Sequence, residues 1–335
     1  MTIPLESRRI VIAGASSLLG AELKSLLEES RFAASDFRLV DEEIVAGTLT
    51  EAGGQAAFIQ PVEEDSFARA WVVFFTGSAA FTRSNFALAA RSGANLIDLS
   101  GELAGQPDVA VWLAKLSGSP SPNVPPNTSR AFAVPSSAAE IIARLTMALS
   151  SLQPSAVSAV AFQPVSAAGK PGIEELESQT GQLLSFQSVG KQVFDAQVAY
   201  AMLDRFGPSS PHSLAATLGL LRREVRAALP GSTHPPAIQL LHAPVFYGTT
   251  VSACAFMDRQ AEAADIARLC SNAGFTLADT DGAPSNVTSA GEIALQLASP
   301  TADSAARGAF WFWAAADNLR LPASNAVKLA ESLLG

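Results

Sequence analysis

The stretch Arg9–Leu27, RIVIAGASSLLGAELKSLL, opens with an apolar run, Ile10, Val11 and Ile12, that passes through Ala13 into Gly14. From Leu18 onward apolar residues recur at 18, 19, 23, 26 and 27, the spacing of a helix with one buried face. A buried strand that turns through glycine into a helix is the repeating unit of a parallel α/β sheet.

Working outward, short apolar strands are predicted at Phe37–Val40, Trp71–Phe75 and Asn95–Leu99, with a helix over Arg83–Arg91 between the last two. Strands alternating with helices define a doubly wound parallel sheet. The Pro- and Ser-rich segment Ser117–Asn127, SGSPSPNVPPN, reads as a loop. After Glu140 the pattern changes to longer amphipathic helices, predicted over Ala139–Leu152, Ser188–Phe206 and Leu214–Leu229, and to strands over Val157–Val165 and Ala237–Met257. That mixture predicts an α+β second domain. The expected division is 1–135 for the first domain, completed by a C-terminal helix within 317–335, and 136–316 for the second.

With 335 residues, 48% apolar and 16% charged, the chain can bury a core in each of two domains. No apolar run reaches the roughly 18 to 20 residues of a membrane span, and MTIPLESRR lacks a signal-peptide core. A cytoplasmic protein that does not enter membranes is expected. Cys254 and Cys270 cannot build a disulfide framework, and three scattered histidines offer no metal-ligand spacing, so no metal is expected. A net charge of -9 disfavours nucleic acid, whose binding depends on many Lys and Arg contacts.

The segment Gln163–Thr180, QPVSAAGKPGIEELESQT, resembles the Q-x-V-S-G-A-G-x-x-G-I-E-E-L-x-x-Q-T segment of the aspartate-semialdehyde dehydrogenase family. The ending, Asp317-Asn318-Leu319-Arg320 followed by Ser324–Leu334, resembles that family's D-N-L-R helix, which returns to the first domain. The resemblance touches both ends and the middle of the chain. It implies a Rossmann-type dinucleotide-binding domain, an α+β dimerisation domain and a homodimer. The family reaction is the NADP-dependent reductive dephosphorylation of aspartyl phosphate to the semialdehyde.

Against the family's G-A-T-G-x-V-G turn, this chain has Gly14, Ala15, Ser16, Ser17, Leu18, Leu19 and Gly20. Such a turn brings backbone N–H groups and a helix N-terminus to a pyrophosphate, and a Cβ at Ser17, the middle glycine position, crowds it. A plain structural turn is the competing reading. Gly77, Ser166, Gly169 and Asn318 join the turn as the resemblance's cofactor-binding positions. Family members that use NADP hold its 2′-phosphate with Ser, Arg and Ser after the second strand, where this chain has Asp41, Glu42, Glu43, Ile44 and Val45. Carboxylates repel a phosphate dianion, while Asp41, about 20 residues beyond the turn, suits a ribose 2′-hydroxyl. NAD is thereby favoured over NADP, the alternative being a solvated acidic loop.

At the family's catalytic positions the chemistry changes. The nucleophilic cysteine of N-P-N-C-S-T aligns with Ser137 in Val134-Pro135-Ser136-Ser137-Ala138-Ala139. A thiol of pKa about 8.5 is partly ionised at neutral pH, whereas a serine hydroxyl needs an adjacent base. The histidine base of V-P-V-F-x-G-H aligns with Thr249, and the arginine that grips the substrate carboxylate aligns with His242. The E-x-x-K pair falls near Thr217 and Leu220 and the phosphate-binding arginine near Ala104. Gln163, which positions the intermediate in the family, is retained.

A family member inactive in this reaction, retaining dimerisation and dinucleotide binding, is therefore expected, open to assembly with an active paralogue. An oxidoreductase using NAD on another carbonyl substrate, with His242, His234 or Cys254 enlisted, and a dimeric partner-binding protein without nucleotide are the alternatives. Under the bland assignment, Ser137 caps the helix after it and the retained glycines and Glu174–Glu177 serve backbone geometry.

Overall fold

The computed structural model describes residues 8–43, 47, 49–52, 55–114, 130–229, 231, 235–257, 261–278 and 282–334. Its described residues fall into two compact units, one built from 8–114, 130–136 and 322–334, the other from 137–321. Ile44, Val45, His234 and the loop expected over Ser117–Asn127 lie outside the described residues.

In the first unit the chain runs through β1 (Arg9–Ala13), α1 (Leu18–Glu28), β2 (Asp36–Asp41), the hairpin β3 (Leu49–Ala52) and β4 (Gln55–Phe58), and β5 (Gln60–Pro61). It continues through β6 (Ala70–Phe75), α2 (Ala79–Ala90), β7 (Asn95–Asp98), β8 (Val109–Val111) and β9 (Ala131–Ala133). Seven strands form one sheet in the order β5-β2-β1-β6-β7-β9-β8, and every neighbouring pair is parallel. Alternate residues of β1 and β6 feed two apolar layers, as expected where helices cover both faces. Ile10, Ile12, Val72 and Phe74 pack with Leu23 and Leu27 of α1, whereas Val11, Ala13, Val73 and Phe75 pack with Phe81 and Ala89 of α2. α2 begins at Ala79, earlier than the predicted Arg83, because the Ser78 side chain accepts from the Phe81 N–H and sets the cap.

The second unit contains α3 (Ser137–Leu149), β10 (Pro154–Gln163), α4 (Gly169–Leu184), α5 (Leu214–Ala228), β11 (Ala237–His242) and β12 (Thr249–Met257). α6 (Ala263–Asn272), β13 (Phe275–Leu277), β14 (Leu295–Leu297), β15 (Thr301–Ala302) and β16 (Ala309–Ala316) follow. A helix α7 (Arg320–Ser332) ends the chain, and its Ala323, Ala326, Leu329 and Ala330 belong to the core of the first unit. The second sheet is mixed, in the order β11-β10-β12-β16-β14-β13, with β15 on β16. α3 lies against β10, β12 and β16 and packs with α5 and α6, so even its Glu140–Arg144 ion pair, 2.7 Å apart, is buried. On the opposite face the register aligns Trp313 with Ser252 and Trp311 with Cys254. There Trp311 and Trp313 are 47% and 37% exposed, and Phe256 stands beside them. No helix among the described residues is long and apolar enough to cross a membrane.

The helix predicted over Ser188–Phe206 does not form; the segment is irregular, with Asp195 and Tyr200 at positive φ. Side chains from α4 satisfy its backbone instead. The strand expected over Ala237–Met257 divides into β11 and β12 around Gly248, whose φ of +83° and close approach to Asn286 exclude a side chain.

Candidate functional site

The glycine turn lies where the first sheet changes direction, since β1 has β2 on one side and β6 on the other. Gly14 has φ +93°, and a Cβ there would come 2.2 Å from the Gly77 N. One at Gly20 would lie 2.6 Å from the Gly14 carbonyl oxygen. Gly14 and Gly20 are thus required by backbone packing whether or not a ligand is bound, while a Cβ at Gly77 would press on the Phe81 ring at 2.9 Å. Ser17, in the middle glycine's place, is the N-cap of α1. Its Oγ accepts from the Gly20 N–H and donates to the Thr76 carbonyl, both at 2.9 Å. Ala15 and Leu18 complete the turn without side-chain hydrogen bonds.

Asp41 is buried at the end of β2, where its carboxylate accepts from the N–H groups of Ser16 and Glu42, each at 2.8 Å. A cavity of about 560 Å3 opens beside it, lined by Glu42, Glu43 and Glu63 together with Phe81 and Ser84. Glu63 was not legible as part of this group. It arrives because β5 pairs with β2, so that the Val62 N–H reaches the Asp41 carbonyl at 3.1 Å. The cavity's carboxylates suit a ribose diol and oppose a 2′-phosphate. The turn is less accommodating, because the Ser16 N–H that would face a diphosphate is held by Asp41.

In the second unit Ser137 opens α3 at 2% exposure, and its Oγ donates to the Asp317 carbonyl at 2.7 Å. That bond ties the hydroxyl to the backbone just before α7. Asp317 also caps α7: one carboxylate oxygen accepts from the N–H groups of Leu319 and Arg320, and the other from Gly291, all at 2.7 Å. Asn318 accepts from the Gly248 N–H at 2.7 Å and donates to the Ser166 Oγ at 3.1 Å. Thr249 follows Gly248 as the first residue of β12 and is buried. Among the described residues no hydrogen bond joins Ser137 Oγ to an ionisable side chain, so a proton leaving it has no acceptor except a peptide carbonyl.

His242 ends β11 in register with Gln163 of β10. It is 1% exposed, with ring centroids 6.0 Å from Phe194 and 5.6 Å from Phe206. Burial pushes its pKa down, opposed by the Val198 carbonyl 3.4 Å from Nε2. A neutral imidazole enclosed by aromatic rings neither grips a carboxylate nor faces an open cleft. Cys254 and Cys270 are buried in β12 and α6; burial raises both thiols, that of Cys270 to about 12. Neither is a nucleophile at neutral pH.

The retained Gln163–Thr180 segment reveals its use in α4. Gln179, fully buried, donates from Nε2 to the carbonyls of Gly190 and Ala196 at 2.8 and 3.0 Å. Its Oε1 accepts from the N–H groups of Val198 and Ala199 at 2.8 and 3.1 Å. One turn earlier, Glu175 accepts from Val193 and Phe194. Gly169, at φ +71°, ends the short 3-10 turn over Val165–Ala168, and Gly172 lets α4 approach the Val165 carbonyl oxygen, 2.4 Å from a would-be Cβ. This clamp was missed in the sequence. Its signal is the polar i,i+4 pair Glu175 and Gln179 flanking the core residue Leu176 on one helix face.

These units correspond to known domains. Residues 9–120 match the sequence model of the semialdehyde dehydrogenase NAD binding domain, and residues 145–321 match that of the semialdehyde dehydrogenase dimerisation domain. The chain belongs to the semialdehyde dehydrogenase family. Among its relatives, a USG-1 protein homolog of Azotobacter vinelandii is 29% identical, with 97% of each chain covered. An aspartate-semialdehyde dehydrogenase of Shewanella violacea is 24% identical over 97% of each chain. The solved structure of a probable aspartate-semialdehyde dehydrogenase from Pseudomonas aeruginosa superposes with a TM-score of 0.84 at 25% identity, covering 98% of each chain.

Proposed function

We propose that this chain is a semialdehyde dehydrogenase relative that has lost the aspartate-semialdehyde reaction and retains a dimerisation fold and an NAD-type nucleotide site. The observation that carries the proposal is the Ser137 hydroxyl, buried and donating to the Asp317 carbonyl with no ionisable partner. Acyl transfer through Ser137 requires that proton to be removed as the C–O bond forms, and Thr249 cannot accept it. Substrate carboxylate would meet a neutral, enclosed His242 rather than a guanidinium fork.

A bound dinucleotide would supply the hydride-transfer chemistry of the family. Gly14, Ser16 and Ser17 would hold its diphosphate once Asp41 yields the Ser16 N–H, and Asp41 with Glu63 would favour NAD over NADP. Dimerisation through the bare sheet face bearing Phe256, Trp311 and Trp313 would give a cytoplasmic homodimer, and the same face offers assembly with an active relative.

The test is incubation of the purified protein with aspartate semialdehyde, phosphate and either NAD or NADP. No nicotinamide reduction is expected. Turnover that disappears in Ser137→Ala would refute the proposal. In tryptophan-fluorescence titrations NAD should bind at least about tenfold more tightly than NADP, and equal affinities would remove the assigned role of the carboxylates.

A further inference from the structure

Between α4 and α5 the chain over 188–213 forms no regular helix or strand, and its one isolated bridge joins Leu203 to His242 through backbone hydrogen bonds of 2.8 and 3.3 Å. Phe194 is the hub of this segment. It is 1% exposed, and its carbonyl accepts from the Gly207 N–H at 3.0 Å. Its ring centroid lies 4.7 Å from that of Phe206 and 6.0 Å from those of both His212 and His242. The turn leading to α5 is tied to the same place, since the Ser210 Oγ donates to the Val193 carbonyl at 2.8 Å and accepts from the His212 N–H at 3.1 Å. Two imidazoles thus flank one buried phenyl ring, His242 from β11 and His212 from the approach to α5. Among the described residues neither imidazole is hydrogen-bonded to a carboxylate. The ionisable groups around them come from three elements. Glu175 of α4 accepts from the Val193 and Phe194 N–H groups. Within the segment Asp195 accepts from the Ser209 N–H at 2.9 Å, Asp204 pairs with Arg205 on the surface, and Tyr200 is exposed. α5, which packs along β11, carries Arg222, Arg223, Glu224 and Arg226, while β10 places the uncharged Gln163 opposite His242.

We propose that His212 and His242 form a proton-operated latch on the segment 188–213, closed over β11 when both rings are neutral and released when they are protonated, while the sheet of the second unit stays folded. A charged imidazole has to be taken out of water to remain beside Phe194, and the closed segment offers it no counter-ion. The aromatic faces attract a cation, but desolvation is the larger effect, since burial holds both histidines below their ordinary pKa. Release is local because the segment is held by side chains of α4 and by a single bridge rather than by a ladder of its own. The latch shares only the enclosed His242 with the proposed function. It uses neither the glycine turn nor Ser137, and no turnover is read in its test.

The test is amide hydrogen exchange of the full-length protein at a series of pH values from about 7.5 to 5, with rates corrected for the intrinsic pH dependence of exchange. A ring that stays neutral in the closed state and regains a pKa of about 6.5 on opening raises the opening constant about thirtyfold across that range. Protection over 188–213 should therefore fall about tenfold or more, the partly exposed His212 contributing less than His242, while protection in β10 and β12 holds. In the His212→Phe, His242→Phe double variant the loss should disappear. His212→Phe alone, at the half-buried position, should reduce it. Protection over 188–213 that is independent of pH in the wild type would overturn the proposal. So would an equal loss in a folded double variant, which would assign the effect to Glu175 or Asp195, or a simultaneous loss in β10 and β12, which would make the opening global.

Discussion

Replacing Gln179 by leucine removes a side chain whose amide joins α4 to the irregular segment after it. The variant keeps the volume but orphans the carbonyls of Gly190 and Ala196 and the N–H groups of Val198 and Ala199. Each buried unsatisfied backbone group costs about 1 to 3 kcal/mol. Val198 and Ala199 are buried, whereas Gly190 is exposed and Ala196 half-buried, so two such groups set a scale of about 2 to 6 kcal/mol, and a loss of about 2 to 4 kcal/mol is expected once local opening to water is allowed for. Urea unfolding followed by circular dichroism reads the loss, and amide hydrogen exchange resolves the place. Protection should collapse first over 188–206 and only later in β10 and β12, because the opening is local. A destabilisation below about 1 kcal/mol with unchanged protection over 188–206 would refute the idea that this segment of α4 is retained for architecture.

Two further expectations concern pH and the glycine turn. Burial lowers the folded-state pKa of His242, and of His212, below the unfolded value of about 6.5. The unfolded chain therefore binds more protons in that range, and stability is complete above pH about 6.5 and lost as pH falls toward the folded-state values. His242→Phe should flatten the slope of unfolding free energy between pH 6.5 and 5, as measured by urea titrations at each pH; an unchanged slope would show that His242 is not buried neutral. Gly14→Ala places a Cβ 2.2 Å from Gly77 N at a φ of +93°. It should cost about 3 kcal/mol or more, read as a lowered melting temperature without ligand, and an unaltered melting temperature would return the turn to a purely ligand-driven role.

Much of the first unit was legible because its signals are local. Ile10, Val11 and Ile12 before Gly14 mark a strand and its turn, and the parallel sheet follows from the alternation of strands and helices. Predicted strands at 37–40, 71–75 and 95–99 correspond to β2, β6 and β7 within a residue or two. Ser188–Phe206 failed for the opposite reason: its apolar spacing imitates a helix, but its hydrogen-bonding partners lie on another element. His242 shows the same limit, since residue type suggested a polar group near a cleft and only the placement of Phe194 and Phe206 reveals an enclosed ring.

The order of residues alone determined which functional groups this protein possesses: a hydroxyl at 137, a threonine at 249, an imidazole at 242 and a run of carboxylates after β2. These are covalent facts, independent of conformation. What each group can do was decided only by the tertiary structure, because proton affinity and ligand access depend on neighbours drawn from distant parts of the chain. Asp317 lies 180 residues from the Ser137 hydroxyl that it accepts. Glu63 reaches the cavity beside Asp41 through strand pairing, and His212 and His242 meet on Phe194 only when the segment after α4 packs against β11.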